Sequence, residues 1–126
     1  MKFSSRQIKG KGRGKLLGFP TINLEIPENF RLIDGIYAVK VFISGQEFIG
    51  ALHFGPVPTF NELENTLEVF IINISPEQLP DTVDLDIEIE IIKYLRSIEN
   101  FPNQEELIKQ IGEDVEETKK SAGLTF

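Results

Sequence analysis

The residues whose types and spacing could do chemistry form a short set. Near the start, Gly10-Lys11-Gly12-Arg13-Gly14-Lys15-Leu16-Leu17-Gly18 is glycine-rich and basic. Glycines let backbone N–H groups approach an anion closely, and Lys11, Arg13 and Lys15 add charge. Lys2, Arg6 and Lys9 extend the run, so six cations precede the first acidic residue, Glu25. Two readings follow: a local anion site, or a solvated N-terminal arm. The segment is not a Walker A loop, because Gly14-Lys15 is followed by Leu16 rather than Ser or Thr. It also lacks the strand-then-helix setting of a dinucleotide-binding turn.

Thr21 and Asn23 are two residues apart, so on an extended stretch both side chains face the same way. A hydroxyl and an amide carbonyl are hard, neutral oxygen ligands, suited to a Mg2+ that already carries phosphate. The alternative is that Thr21 only bonds backbone at a loop end. Glu68 stands between Leu67 and Val69 in an otherwise apolar stretch. A carboxylate desolvated in that way resists ionisation unless it is paired, and a poised carboxylate in a pocket is what a general base requires. The alternative is an exposed strand end. His53, the only histidine, reads as a packed, hydrogen-bonded residue. Asp81, Asp84, Asp86, Glu88 and Glu90 read mostly as a solvated strand face rather than a cation site.

Strands must position these groups. Phe19 to Leu24 reads as a short extended stretch. Gly35 to Phe54 is the clearest hairpin: Tyr37, Val39, Val41 and Ile43 share a face, and Ser44-Gly45 turns the chain. Gly55 to Thr59 reads as a loop because it holds two prolines. Leu67 to Ile74 is a further strand, apolar except at Glu68 and Asn73. Leu85 to Leu95 is the longest, with Leu85, Ile87, Ile89 and Ile91 inward. One helix follows. Asn103 and Glu106 form a capping box, and Leu107, Ile108, Ile111 and Val115 form its apolar stripe. Glu105 and Glu106 open it, Lys119 and Lys120 close it, and Gly123 lies just past its end. Short strands followed by one amphipathic helix imply a small antiparallel barrel with the helix laid across it, and a ligand site at the barrel mouth.

The bulk numbers set limits. A chain of 126 residues suits one domain, spanning 1–126. The absence of cysteine excludes disulfides, thiolate nucleophiles and cysteine zinc sites. A net charge of −7 argues against nucleic-acid binding by bulk electrostatics. No apolar run reaches the ~18 residues of a membrane span, and residues 1–15 lack the apolar core of a secretory signal. The expectation is a cytoplasmic monomer with no membrane partner.

Taken in order, these pieces resemble the riboflavin kinase family, including the C-terminal half of bacterial bifunctional riboflavin kinase/FAD synthetases. The matching stretches are Gly10 to Leu24, with its specific Gly18-Phe-Pro-Thr-Ile-Asn23 core, and Asp34-Gly-Ile-Tyr-Ala-Val39. Then come Gly55-Pro-Val-Pro-Thr-Phe60, Leu67-Glu-Val69, Leu95-Arg96 with Phe101, and Leu107, Gln110, Ile111 and Asp114. The resemblance implies a mainly β fold: a six-stranded antiparallel Greek-key barrel with a C-terminal helix packed on it. It implies ATP-dependent phosphorylation of riboflavin to FMN with release of ADP. Mg2+ is the implied metal, with Zn2+ or Mn2+ as alternatives. By position, Thr21 and Asn23 match the metal-and-phosphate pair, with Pro20 beside them. Gly12, Arg13, Gly14 and Lys15 match the flap over the nucleotide, and Glu68 matches the catalytic base. Arg96, Phe101, Leu107 and Ile111 match the flavin side. The sequence departs from the family pattern at Phe70, Val83-Asp84, Ile98 and His53. A catalytically degenerate module that binds flavin or nucleotide on the same fold is the alternative, and a protein-binding barrel is the third.

Overall fold

Alternation of apolar and polar residues builds a curled sheet. The computed structural model of the chain describes residues 1–9 and 18–124. Its strands are β1 (Lys2–Ser5), β2 (Thr21–Leu24), β3 (Gly35–Ile43), β4 (Gln46–Val57), β5 (Glu62–Ile71) and β6 (Ile87–Arg96), followed by helix α1 (Gln104–Ser121). Every pairing is antiparallel, in the order β1-β6-β3-β4-β5-β2. Strands β3, β4 and β5 form a meander, and β6 returns beside β3, which is a Greek key.

The two edges nearly meet. Ile8 N donates to Asn23 O at 2.8 Å, and Glu25 N donates to Arg6 O at 2.9 Å. The Ser5 hydroxyl adds a bond to the Glu25 carbonyl. These contacts bring the segment after β1 against β2, so the sheet curls into a nearly closed barrel. Its interior is filled by one face of each strand. Ile22, Leu24, Val39, Val41, Leu52 and Val69 are all buried there, with Ile87 and Ile89 from β6. Burying each such side chain contributes about 1.5–3 kcal/mol.

Close packing explains Gly50. It lies on the core face of β4, where an added Cβ would meet Val69 Cγ2 at 2.7 Å and the Phe70 carbonyl oxygen at 2.9 Å. The β3–β4 turn has φ of 49° at Ser44 and 81° at Gly45, matching the tight hairpin read from the sequence.

Three elements differ from the sequence reading. β1 was not expected. It is four residues long, and only Phe3 packs on the core. Its partner β6 lies more than eighty positions away. Lys2 reaches Glu88 at 3.5 Å and Glu90 at 3.3 Å, and Arg6 reaches Asp86 at 3.0 Å. Those acids raise the Lys2 ammonium and the Arg6 guanidinium above their ordinary values. Part of the basic start therefore faces the acidic side of β6. Strand β4 continues through Val57, past the boundary expected from Pro56, because Pro56 falls at a register shift between Gly55 and Val57 where no ladder donor is needed. Strand β5 begins at Glu62, five residues before the apolar run that signals it, and ends at Ile71, short of the expected Ile74.

Helix α1 begins where its cap directs. Asn103 Oδ1 accepts from Glu106 N at 2.9 Å. Gly123 follows the helix at φ 73°, a left-handed stop. Val115 packs with Ile49 and Ile72 in a second apolar cluster, with Phe19, Ala122 and Leu124 at its margin. The helix thus covers the outer face of the sheet. No helix among the described residues is long and apolar enough to cross a membrane.

Gly50→Ala is expected to lower unfolding free energy by about 1–3 kcal/mol, because the methyl meets backbone as well as Val69. Asn103→Ala should cost about 1 kcal/mol through loss of the helix cap. Urea unfolding followed by circular dichroism checks both.

Candidate active site

One register row crosses five strands on the face opposite the barrel core. It runs Asn23 on β2, Glu68 on β5, His53 on β4, Ile36 on β3 and Arg96 on β6. Directly opposed residues on neighbouring strands hold their Cβ atoms roughly 4.5–5.5 Å apart. Glu68 is therefore flanked by Asn23 on one side and His53 on the other. The adjacent row runs Thr21, Phe70, Ala51 and Ala38. Alternation sends Ile22, Val69 and Leu52 to the opposite face, into the core.

Glu68 is only 5% exposed, although it faces away from the core. Its burial comes from what lies over the outer face. His53 Nε2 lies 2.9 Å from Gly55 O. A carbonyl can only accept, so Nε2 is the protonated donor of this bond. Thr21 Oγ1 donates to Phe19 O at 3.3 Å, a long bond that leaves its lone pairs available. Thr21 and Asn23 are half-buried on the edge strand β2. Pro20 is buried just before it, and its carbonyl accepts from Ile71 N at 2.9 Å.

Over this floor lies a largely apolar pocket. Glu68, His53, Ala51, Phe70 and Ile36 form its base. The end of β4 and the following turn, from Pro56 to Thr59, close one side. Ile98 and Phe101 from the β6–α1 loop and Leu107 and Ile111 from α1 form the outer wall, with Arg96 and Asp114 between loop and helix. Arg96 is paired: its Nε and Nη2 donate to the two Asp114 carboxylate oxygens at 2.7 and 2.8 Å.

The structure thus gathers Glu68, Arg96, Phe101, Leu107 and Ile111 around one cavity. Asn23 borders it across Glu68 and Thr21 across Phe70, with Pro20 just before them, and none of the three lines it. Gly12, Arg13, Gly14 and Lys15 lie outside the described residues. The pocket is not at the barrel mouth, as the sequence suggested. Small barrels fill their interiors with side chains, and here the space lies between the sheet's outer face and the helix.

Sequence reasoning did not place Asp114, Thr59 or Ala51 in the site. Asp114 carried a signal: it falls on the buried helical stripe of Leu107, Val115 and Thr118. The small side chains of Ala51 and Ala38 leave room under the helix, which only the register reveals.

Among the described residues no group of three or more His, Cys, Asp or Glu could hold a metal. The Thr21 hydroxyl and Asn23 amide oxygen instead offer two neutral hard donors on one edge. Such a pair fits a Mg2+ that keeps most of its shell as water and phosphate oxygens, and does not fit a tightly caged transition metal.

Comparison with known proteins supplies the family. The profile of the family described as Flavokinase, riboflavin kinase, matches residues 1–122. A bifunctional riboflavin kinase/FMN adenylyltransferase from Haemophilus influenzae is 36% identical over 115 residues, covering 90% of this chain and 36% of the relative. The RNA-binding riboflavin kinase RibR of Bacillus subtilis is 34% identical over 109 residues, covering 86% of this chain and 45% of that protein. The chain therefore spans less than half the length of these relatives. A solved structure described as a macrolide-efflux protein from Streptococcus pneumoniae superposes with a TM-score of 0.75 at 25% identity. That match covers 94% of this chain and 38% of the other. With a family profile spanning nearly its whole length, and a buried glutamate beside the Thr-Asn edge of a Greek-key barrel, the chain belongs to the riboflavin kinase family.

Proposed function

We propose that this domain is a riboflavin kinase. It transfers the γ-phosphoryl group of ATP to the terminal hydroxyl of the ribityl chain of riboflavin, giving FMN and ADP. The observation that carries this reading is the position of Glu68, buried between an apolar pocket on one side and Asn23 on the other.

Phosphoryl transfer needs charge neutralisation, in-line positioning and help for the attacking hydroxyl. The apolar pocket suits a flat ring system: Phe101, Leu107 and Ile111 offer one wall, and Ala51 and Phe70 the floor. A ring bound there directs its polyol chain along the floor toward β2. Glu68 is then within reach of the terminal hydroxyl and accepts its proton as the new P–O bond forms. Thr21 and Asn23 hold the nucleotide's phosphates from the edge strand. Thr21 and Asn23 would hold Mg2+, which would supply charge neutralisation to the phosphates when bound. The resemblance assigns Gly12, Arg13, Gly14 and Lys15 to the nucleotide side; they lie outside the described residues.

Glu68 is neighboured by His53 as well as Asn23, so its row combines a proton acceptor, an imidazole and an amide. Phe70, two residues on, puts an aromatic ring beside Thr21 and keeps the floor dry. The reading includes a cytoplasmic monomer with no nucleic-acid partner. The net charge of −7 supports that last point for this chain, whatever its Bacillus subtilis relative binds.

Purified protein incubated with riboflavin, ATP and Mg2+ should form FMN. Tight FMN binding without turnover would favour a degenerate binding module instead. Glu68→Gln should lower kcat by about 10²–10⁴-fold while ADP affinity is kept, measured by FMN formation and calorimetry. Thr21→Ala should raise the Mg-ATP KM by at least about tenfold and leave riboflavin affinity near wild type.

A further inference from the structure

Asp114 and Glu68 are the two buried carboxylates among the described residues. Glu68 has a role in the proposed reaction, and Asp114 does not. Asp114 projects from α1 and accepts a two-point bond from Arg96 at the end of β6, at 2.7 and 2.8 Å. Gln110 Nε2 also donates to it, at 3.2 Å. The paired side chains are 15% and 6% exposed, so each charge depends on the other for solvation.

The contacts continue outward from Arg96. Its Nη1 donates to Ser97 O at 3.0 Å, fixing the start of the β6–α1 loop. Its guanidinium carbon lies 5.8 Å from the centroid of the Phe101 ring, near the loop's end. Phe101 N donates to Thr59 Oγ1 at 3.0 Å, which ties that end to the Pro58–Phe60 turn. Helix, strand end, loop and turn are thereby joined through one ion pair. The pocket's outer wall, Ile98, Phe101, Leu107 and Ile111, stands on these four pieces.

We infer that Asp114 is a positioning residue for the flavin ring, acting through Arg96 to set the separation between the outer wall and the sheet floor. This rests on the riboflavin kinase reading of the pocket. Three of the five Arg96 N–H groups are engaged by protein oxygens, which fixes the guanidinium as a surface of the wall. Both Asp114 carboxylate oxygens are taken up by Arg96, at the helix side of the pocket, and Asn23 lies on the far edge strand β2. Loss of Asp114 therefore acts on ring binding and leaves the chemical step intact.

The test compares Asp114→Asn and Asp114→Glu with wild type. The amide turns a donor toward Arg96, and the longer acid keeps the charge but displaces it. Riboflavin affinity is read from quenching of riboflavin fluorescence, alongside KM for each substrate, kcat and the melting midpoint. In Asp114→Asn, riboflavin Kd and KM should rise about 10- to 100-fold, with kcat and ATP KM within about threefold of wild type. Asp114→Glu should fall between the two and carries the test if the amide variant fails to fold. Wild-type riboflavin affinity in either folded variant would overturn the inference. So would a loss shared equally by riboflavin and ATP affinity that tracks the fall in melting midpoint. If wild type binds riboflavin but forms no FMN, the kinase reading fails, and the affinity ratio still judges Asp114.

Discussion

Register across β2, β5 and β4 is the constraint on which the site depends. Side chains on a strand alternate with period two, so a slip of one residue would exchange the faces of β5. Val69 would leave the core, and Glu68 would be driven into it. The present register is held by the core itself: Ile22, Val69 and Leu52 form a buried apolar row, and the row beside it is consequently Asn23, Glu68 and His53. Hydrophobic packing on one face thus fixes polar juxtaposition on the other. The barrel's stability and its chemistry share one cause.

A buried carboxylate is expensive, and what covers Glu68 makes the site possible. The sheet alone would leave that outer face in water. Helix α1, capped by Asn103 and seated by Val115 on Ile49 and Ile72, encloses the space above it. The result has two compartments with different chemistry. An apolar cavity between sheet and helix suits a flat ring, and the β2 edge with Thr21 and Asn23 suits phosphates and a hard cation. Glu68 stands at their boundary, where the proposed transfer joins the two substrates.

Much of this was legible in the residues. Period-two alternation marked β3 and β6, Ser44-Gly45 marked the turn that returns β4, and the Asn103-to-Glu106 spacing marked the start of the helix. Glu68 stood out as a charge in an apolar stretch. Its neighbours did not, because Asn23 and His53 join it through pairings between distant parts of the chain. β1 was hidden for the same reason: four residues with one core side chain become a strand only against β6. The pocket was misplaced to the barrel mouth because sequence shows which residues are apolar, not which of two apolar surfaces is filled. Asp114 was readable as a charge on a buried stripe, yet its partner Arg96 required the fold.

The most direct measurement is a crystal structure of the protein with ADP, Mg2+ and FMN or riboflavin. The flavin ring should lie against Phe101, Leu107 and Ile111. The oxygen at the end of the ribityl chain should fall within hydrogen-bond reach of the Glu68 carboxylate, roughly 2.6–3.2 Å, and the cation should contact Thr21 and Asn23. A flavin bound elsewhere, or a terminal oxygen pointing away from Glu68 with the cation remote from β2, would contradict the account.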